Sequence, residues 1–212
     1  MCGRFANHLQ DMHRWAALLA DWPAGAPTGF NVAPTQQVPV LTSGGVYSMR
    51  WGLIPRWSKD AVPRFATFNA RIETVAEKPA FREPWRHRQH CLIPILGYYE
   101  WKTEGRTKQP YFIRAQVTSE PLVLAGLWEQ RDEALSFTVL TEPAVNALTE
   151  LHRRMPVMLQ PEHAMEWLLT GESLPSDGND RSTVQYYAVD KGVNNTRHQG
   201  ETLISTALIE PD

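Results

Sequence analysis

The sequence is short of most features that would announce a function outright. It has two cysteines, Cys2 and Cys91, in 212 residues. That is too few for a disulfide scaffold, so a reduced, intracellular protein is expected. No apolar run approaches the length of a membrane span. The opening segment from Met1 to Trp15 holds no apolar core of the kind a signal peptide needs. Gly3 is not in the position that myristoylation requires. A cytoplasmic location is expected by elimination, with nucleoid association when the protein is bound to DNA. Charge of one sign is also missing: 21 Lys and Arg stand against 23 Asp and Glu, a net −2. Any nucleic-acid contact must therefore come from a local basic surface and not from a global field. There is no glycine-rich phosphate loop and no Gly-x-Ser-x-Gly turn, which leaves phosphoryl transfer and the commonest serine hydrolase arrangement without support. His87, His90 and Cys91 cluster, but no second Cys/His pair lies at a spacing that completes a tetrahedral zinc site. Neither a metal nor a cofactor is expected.

What is present reads as one folded domain over residues 1–212, with 42% hydrophobic residues and a chain length sufficient for one core. Asn7, Leu9, Met12, Trp15, Ala16 and Leu19 have helical spacing, followed by a Pro/Gly-rich loop. Gln37–Thr42 and Val46–Trp51 flank Ser43-Gly44-Gly45 as a hairpin. Tyr98–Lys102 and Tyr111–Ala115 form a second, and Leu122–Trp128 with Leu135–Thr141 a third. Cys91–Leu96 reads as a buried strand, with further strands at Pro156–Leu159 and Thr183–Val189. Thr141 looks like a helix cap, with Val145, Leu148 and Leu151 on one face. A second helix runs from Pro161 to Leu169 and stops at Gly171. Ser173–Ser182 reads as an exposed loop. The pattern is α+β and largely antiparallel, built from hairpins flanked by a few helices, without βαβ alternation.

Four residues stand out chemically. Met1 is removable when a small residue follows, and Cys2 would then present an α-amine and a thiol on adjacent carbons. That amine has a reference pKa of about 7.7–8.0, so it is substantially neutral and nucleophilic near pH 7. An aldehyde meeting the pair forms a Schiff base, and the thiol closes a thiazolidine. The plainer reading is a frayed terminus. Glu100 lies in the aromatic strand Gly97-Tyr-Tyr-Glu-Trp101, where desolvation favours the protonated carboxyl and suits acid–base work; it could equally point outward. His152 precedes Arg153-Arg154-Met155-Pro156 and could be a packing residue. Arg71, in Asn69-Ala-Arg71, offers a fork for a phosphate, or an ion pair with Glu73. Arg82, Arg86 and Arg88 read as a solvated basic face.

Taken together, Met1-Cys-Gly-Arg-Phe5, Asn31-Val-Ala-Pro34, Trp51-Gly-Leu-Ile-Pro55, Phe68-Asn-Ala-Arg-Ile-Glu73, Gly97-Tyr-Tyr-Glu-Trp-Lys102 and His152-Arg-Arg-Met-Pro156 resemble the SRAP (SOS-response-associated peptidase) family. They run in the family's order from residue 1 to about 160, and Asn195–Gly200 is similar to its closing segment. The resemblance implies a barrel-like β core and a suicide-type enzyme that senses abasic sites in single-stranded DNA. Such a protein crosslinks to the lesion as a thiazolidine through Cys2 and shields it from strand cleavage. It also implies catalytic roles for Cys2, Asn69, Glu100 and His152. Asn69 would hold the sugar, Glu100 would shuttle protons and His152 would assist ring opening. Arg4, Asn31, Trp51, Arg71 and Arg154 would form the DNA-binding set, with Arg71 and Arg154 clamping phosphates and Trp51 or Trp57 stacking on a base. No membrane partner is implied, and a monomer suffices for suicide chemistry.

The chain departs from the family at one place. Members carry a DNA-contacting Arg a short way past the Asn-Ala-Arg run, where this sequence reads Glu77-Lys78-Pro79-Ala80; Lys78, Arg82 or Arg86 are the candidate substitutes. Two other readings use the same residues: a cysteine peptidase with Cys2 as nucleophile, limited to Met1 removal, and a non-covalent single-strand binder.

Overall fold

The alternation of apolar and polar residues resolves into two β layers. The computed structural model describes residues 2–8, 29–60, 63, 65–116, 122–171 and 184–207. Among these, β2 (Gln37–Thr42) and β3 (Gly45–Trp51) form the first expected hairpin. Strands β6 (Gly97–Glu104) and β7 (Thr107–Ala115) form the second, and β8 (Leu122–Arg131) and β9 (Ala134–Pro143) the third. The apolar run becomes β5 (His90–Ile95), buried along its whole length.

Strands β9, β3, β2, β5 and β8 pair in that order, and β8 returns to β9 to close a five-stranded barrel. Only the β3–β9 joint is parallel, with Arg50 opposite Ser136 and Trp51 opposite Phe137. Closure removes the free edges that an open sheet would expose. A second sheet, ordered β1-β6-β7-β12, joins β1 (Phe5–Ala6) and β12 (Val184–Ala188) to the second hairpin. One face of the barrel strands, carrying Val38, Val40, Met49, Trp51, Ile93 and Phe137, shares a buried cluster with Cys2, Phe5, Tyr98 and Ile113. The opposite face, with Leu92, Ala125, Leu127 and Leu140, is covered by Ala164, Trp167 and Leu168 of α2 (Pro161–Thr170). That helix stops where Gly171 takes a left-handed φ of 71°. A Cβ there would collide with the His90 imidazole, so glycine is required twice over.

Three short strands decorate the barrel. β4 (Asn69–Arg71) lies parallel to β9, β10 (Arg154–Pro156) runs antiparallel to β9, and β11 (Met158–Leu159) pairs with β8. The segment after Thr141 departs from the sequence expectation of a helix. Strand β9 continues to Pro143 because β10 pairs with it there, and only Asn146–Glu150 coils, as a 3-10 turn. Leu148 and Leu151 are buried as the spacing implied, since three-residue spacing fits a 3-10 turn as well as an α-helix. The arginine-rich stretch contains a one-turn helix, α1 (Arg82–Arg86), whose Pro84 is buried. The helix expected over Asn7–Leu19 falls largely outside the described residues, and the loop expected over Ser173–Ser182 lies wholly outside them. Among the described residues no helix is long and apolar enough to cross a membrane.

Candidate active site around Cys2

The terminal strand is held from both sides. Phe5 sits opposite Tyr98 on β6, and the Tyr99 N–H donates to the Arg4 carbonyl at 2.9 Å. Cys2 shares the buried cluster with Phe5 and Tyr98, close enough to Glu100 to feel its charge. The Arg4 guanidinium donates to Asn31 Oδ1 and to the Val193 carbonyl, both at 2.7 Å, and lies 5.7 Å from the Trp101 ring centre. The Asn31 side-chain NH2 in turn faces the carbonyls of Val193, Asn195 and His198 at 2.9–3.2 Å. Arg4 and Asn31, expected to meet DNA, thus use these polar groups inside the protein. Together with Asn195–Gly200 they fasten the strand that carries Cys2.

Asn69 reaches Cys2 directly, its Nδ2 donating to the Cys2 carbonyl at 2.8 Å. Its Oδ1 is buried without a hydrogen-bond partner. Strand β4 places it there, pairing Asn69 with Val139. The preceding Phe68 carbonyl accepts bonds from the Val139 N–H and from Trp51 Nε1, the latter at 2.9 Å. Trp51 has no exposed surface and packs on Phe5 and Phe137, with ring centres 4.6 and 6.4 Å away. It supports the site from beneath, and Trp57 is the tryptophan left at the surface, 56% exposed.

Glu100 is buried on β6 opposite Tyr111. Burial, reinforced by the negative charge of Glu100, pushes the Cys2 thiol far above its ordinary range. The buried Tyr98 phenol, on the same strand face as Glu100, is pushed up by burial and by the same two neighbours. Sequence reasoning quoted Tyr98 but gave it no role, although its two-residue spacing from Glu100 puts both on one face. Burial thus favours the neutral thiol over the thiolate.

His152 follows the buried Leu151, and the Arg154 N–H donates to its Nδ1 at 2.9 Å. The Arg154 carbonyl lies 3.1 Å from the same nitrogen, so the Arg154 backbone holds the ring by that edge. The Arg154 side chain forks onto both Glu73 oxygens and donates to the Thr141 carbonyl at 2.6 Å. Arg71, by contrast, is exposed, and its guanidinium has no hydrogen bond or ion pair among the described residues. It lines a cavity of about 540 Å³ with Asn69, Lys78, Trp57 and Phe65. Of the three candidate substitutes for the family arginine, Lys78 lines this cavity, Arg82 pairs with Glu83, and Arg86 is exposed at the end of α1. His90 and Cys91 are buried, and among the described residues no group of three His, Cys, Asp or Glu side chains could hold a metal.

The family model described as SOS response associated peptidase (SRAP) matches residues 1–196, and the chain belongs to that family. The abasic site processing protein YedK of Escherichia coli K12 is 34% identical over 227 residues, 96% of this chain and 99% of its own. YoaM of Bacillus subtilis 168, also named an abasic site processing protein, is 32% identical, covering 96% of this chain and 97% of its own. The abasic site processing protein HMCES of Pongo abelii is 29% identical, over 93% of this chain and 74% of its own. Crystal structures of proteins from Bordetella bronchiseptica and Bacteroides thetaiotaomicron share the fold. Their TM-scores are both 0.74, at 22% and 24% identity, over 89% and 98% of this chain and 100% and 99% of theirs.

Proposed function

We propose that this chain processes abasic sites in single-stranded DNA by capturing them covalently through Cys2 once Met1 has been removed. The observation that carries the reading is the convergence on Cys2 of the Asn69 carboxamide and the Glu100 carboxylate. It occurs in a family whose similar members are named for abasic sites.

The reaction follows from the state of the two nucleophiles. His152 assists opening of the deoxyribose ring, which exposes the aldehyde. The free α-amine adds to the carbonyl carbon and one water leaves, giving an imine. Cys2 Sγ then bonds to the imine carbon, its proton passing by way of Glu100 to the nitrogen, and the thiazolidine closes. The net change is aldehyde plus aminothiol to thiazolidine plus water. Ring closure removes the imine that would otherwise lead to β-elimination and strand cleavage, so each protein molecule reacts once and shields one lesion. Acid–base assistance of this kind contributes about 10²–10⁴-fold, and holding the lesion in the groove adds effective molarity. Arg71 and Lys78 supply phosphate contacts, and the exposed Trp57 and Phe65 supply faces for bases.

The peptidase reading needs a reactive thiolate, and the raised Cys2 thiol argues against one. A denaturing gel of Met1-processed protein with a single-stranded oligonucleotide carrying one abasic site tests the proposal. A covalent adduct is expected, with an intact mass one water below the sum of the reactants. An equal adduct with intact DNA, or only a salt-labile complex, would overturn it.

A further inference from the structure

Arg154 reaches across β9. Its backbone belongs to β10 on one side of that strand, and its guanidinium ends on Glu73, which follows β4 on the other. On the way it donates to the carbonyl of Thr141, the β9 residue paired with both Arg71 and Pro156. The two strands tied in this way carry the two groups that must act on one sugar. Asn69 opens β4, and His152 stands two residues ahead of Arg154 with its Nδ1 bonded to the Arg154 N–H.

We propose that Glu73 is a positioning residue: forked to Arg154 across β9, it sets His152 against Asn69. The inference rests on the abasic-site reaction proposed above. The pair is open to solvent at its Glu73 end, 42% exposed, while the Arg154 side chain is 12% exposed. Its net stabilisation is therefore small, and its effect is on geometry. A forked carboxylate fixes both the plane and the reach of the guanidinium, which a single hydrogen bond does not. The hydrogen bond from Arg154 also keeps Glu73 below the usual carboxylate range, so the fork stays charged throughout the neutral region. Loss of the fork frees the β10 backbone to shift. The Arg154 backbone then leaves Nδ1 and the His152 ring is no longer held in place. Displacements on the order of 1 Å at a reacting group can cost about 100-fold in rate.

The test uses the Met1-processed full chain and two variants, Glu73→Gln and Glu73→Asp. Three quantities are read: the single-turnover crosslinking rate on abasic single-stranded DNA, the Kd for an oligonucleotide with a tetrahydrofuran site that lacks the aldehyde, and the ¹⁵N shifts of the His152 ring. Glu73→Gln should slow crosslinking about 10- to 100-fold, leave the Kd unchanged, and shift the His152 ring nitrogens. Glu73→Asp should recover part of the rate. A Glu73→Gln protein with the wild-type rate overturns the proposal, as does a rate loss explained wholly by weaker binding. A slow variant with unchanged His152 shifts overturns it too. If the wild-type protein forms no adduct, the abasic-site reading itself fails, and the ring shifts alone decide whether the brace exists. If Glu73→Gln does not fold, Glu73→Asp carries the same comparison.

Discussion

The Asn69 carboxamide donates a 2.8 Å hydrogen bond to the carbonyl of Cys2, sixty-seven residues away in sequence, and leaves its own Oδ1 buried and unpartnered. A buried polar atom without a partner costs free energy. In a site built for a sugar it is a ready acceptor for a hydroxyl or for the Cys2 amine. Asn69→Ala should therefore slow crosslinking by roughly 100-fold, the scale of losing one well-placed polar group, with little change in thermal stability. Single-turnover kinetics beside a melting curve check this, and a variant that keeps its rate reduces Asn69 to a backbone support.

The raised thiol orders the two bond-forming steps. Amine attack should come first, so the crosslinking rate should rise with pH around the amine's value of about 8 and show no further rise towards the thiol's range. Cys2→Ser retains the amine and should give an imine trappable by borohydride but no stable adduct. Cys91→Ala should crosslink normally, since Cys91 is buried in the core. Loss of the adduct in Cys91→Ala alone would sink the assignment.

The two tryptophans considered for stacking should separate cleanly. Trp51→Ala removes a fully buried ring and should cost about 3–5 kcal/mol of stability. Trp57→Ala should leave the melting temperature nearly unchanged and weaken single-strand binding by about 1–3 kcal/mol. Chemical denaturation and fluorescence titration give the two numbers. Equal stability losses would mean that the Trp57 ring packs rather than binds.

His90 should make the protein acid-sensitive. Burial, and then the charge of Arg88, lower its pKa from the ordinary 6.5 to about 4. The unfolded chain therefore takes up a proton near 6.5 and the folded one only near 4. The resulting contribution to stability is complete above about pH 6.5 and is lost progressively as pH falls towards 4. The melting temperature should fall over that window by on the order of 5 °C, and His90→Gln should flatten the fall. A variant with the same pH dependence as wild type would assign it to other groups.

The three hairpins, the buried strand and the α2 stop at Gly171 were legible in the sequence because each is set by neighbours: a turn signal, a two-residue alternation, a glycine. The segment after Thr141 was not. Its expected helical cap at Thr141 is instead strand, because β10, arriving from residues further along the chain, pairs with Thr141–Pro143. Strand β4 is only three residues long and parallel, so no local period announces it. At the site, the chain alone supplied the chemistry: an aminothiol at residue 2, a carboxylate among aromatics, a histidine and arginines at family spacing. Which of these face one another was decided by closure of the barrel and by the β1–β6 register, which bring Asn69 and Glu100 to Cys2. The same packing gives Arg4, Asn31 and Arg154 internal partners and buries Trp51, leaving Arg71, Lys78 and Trp57 to the groove. Residue type fixes what a group can do. Whether it is left free to do it depends on partners distant in sequence, because most buried polar groups are satisfied by whatever the fold puts beside them.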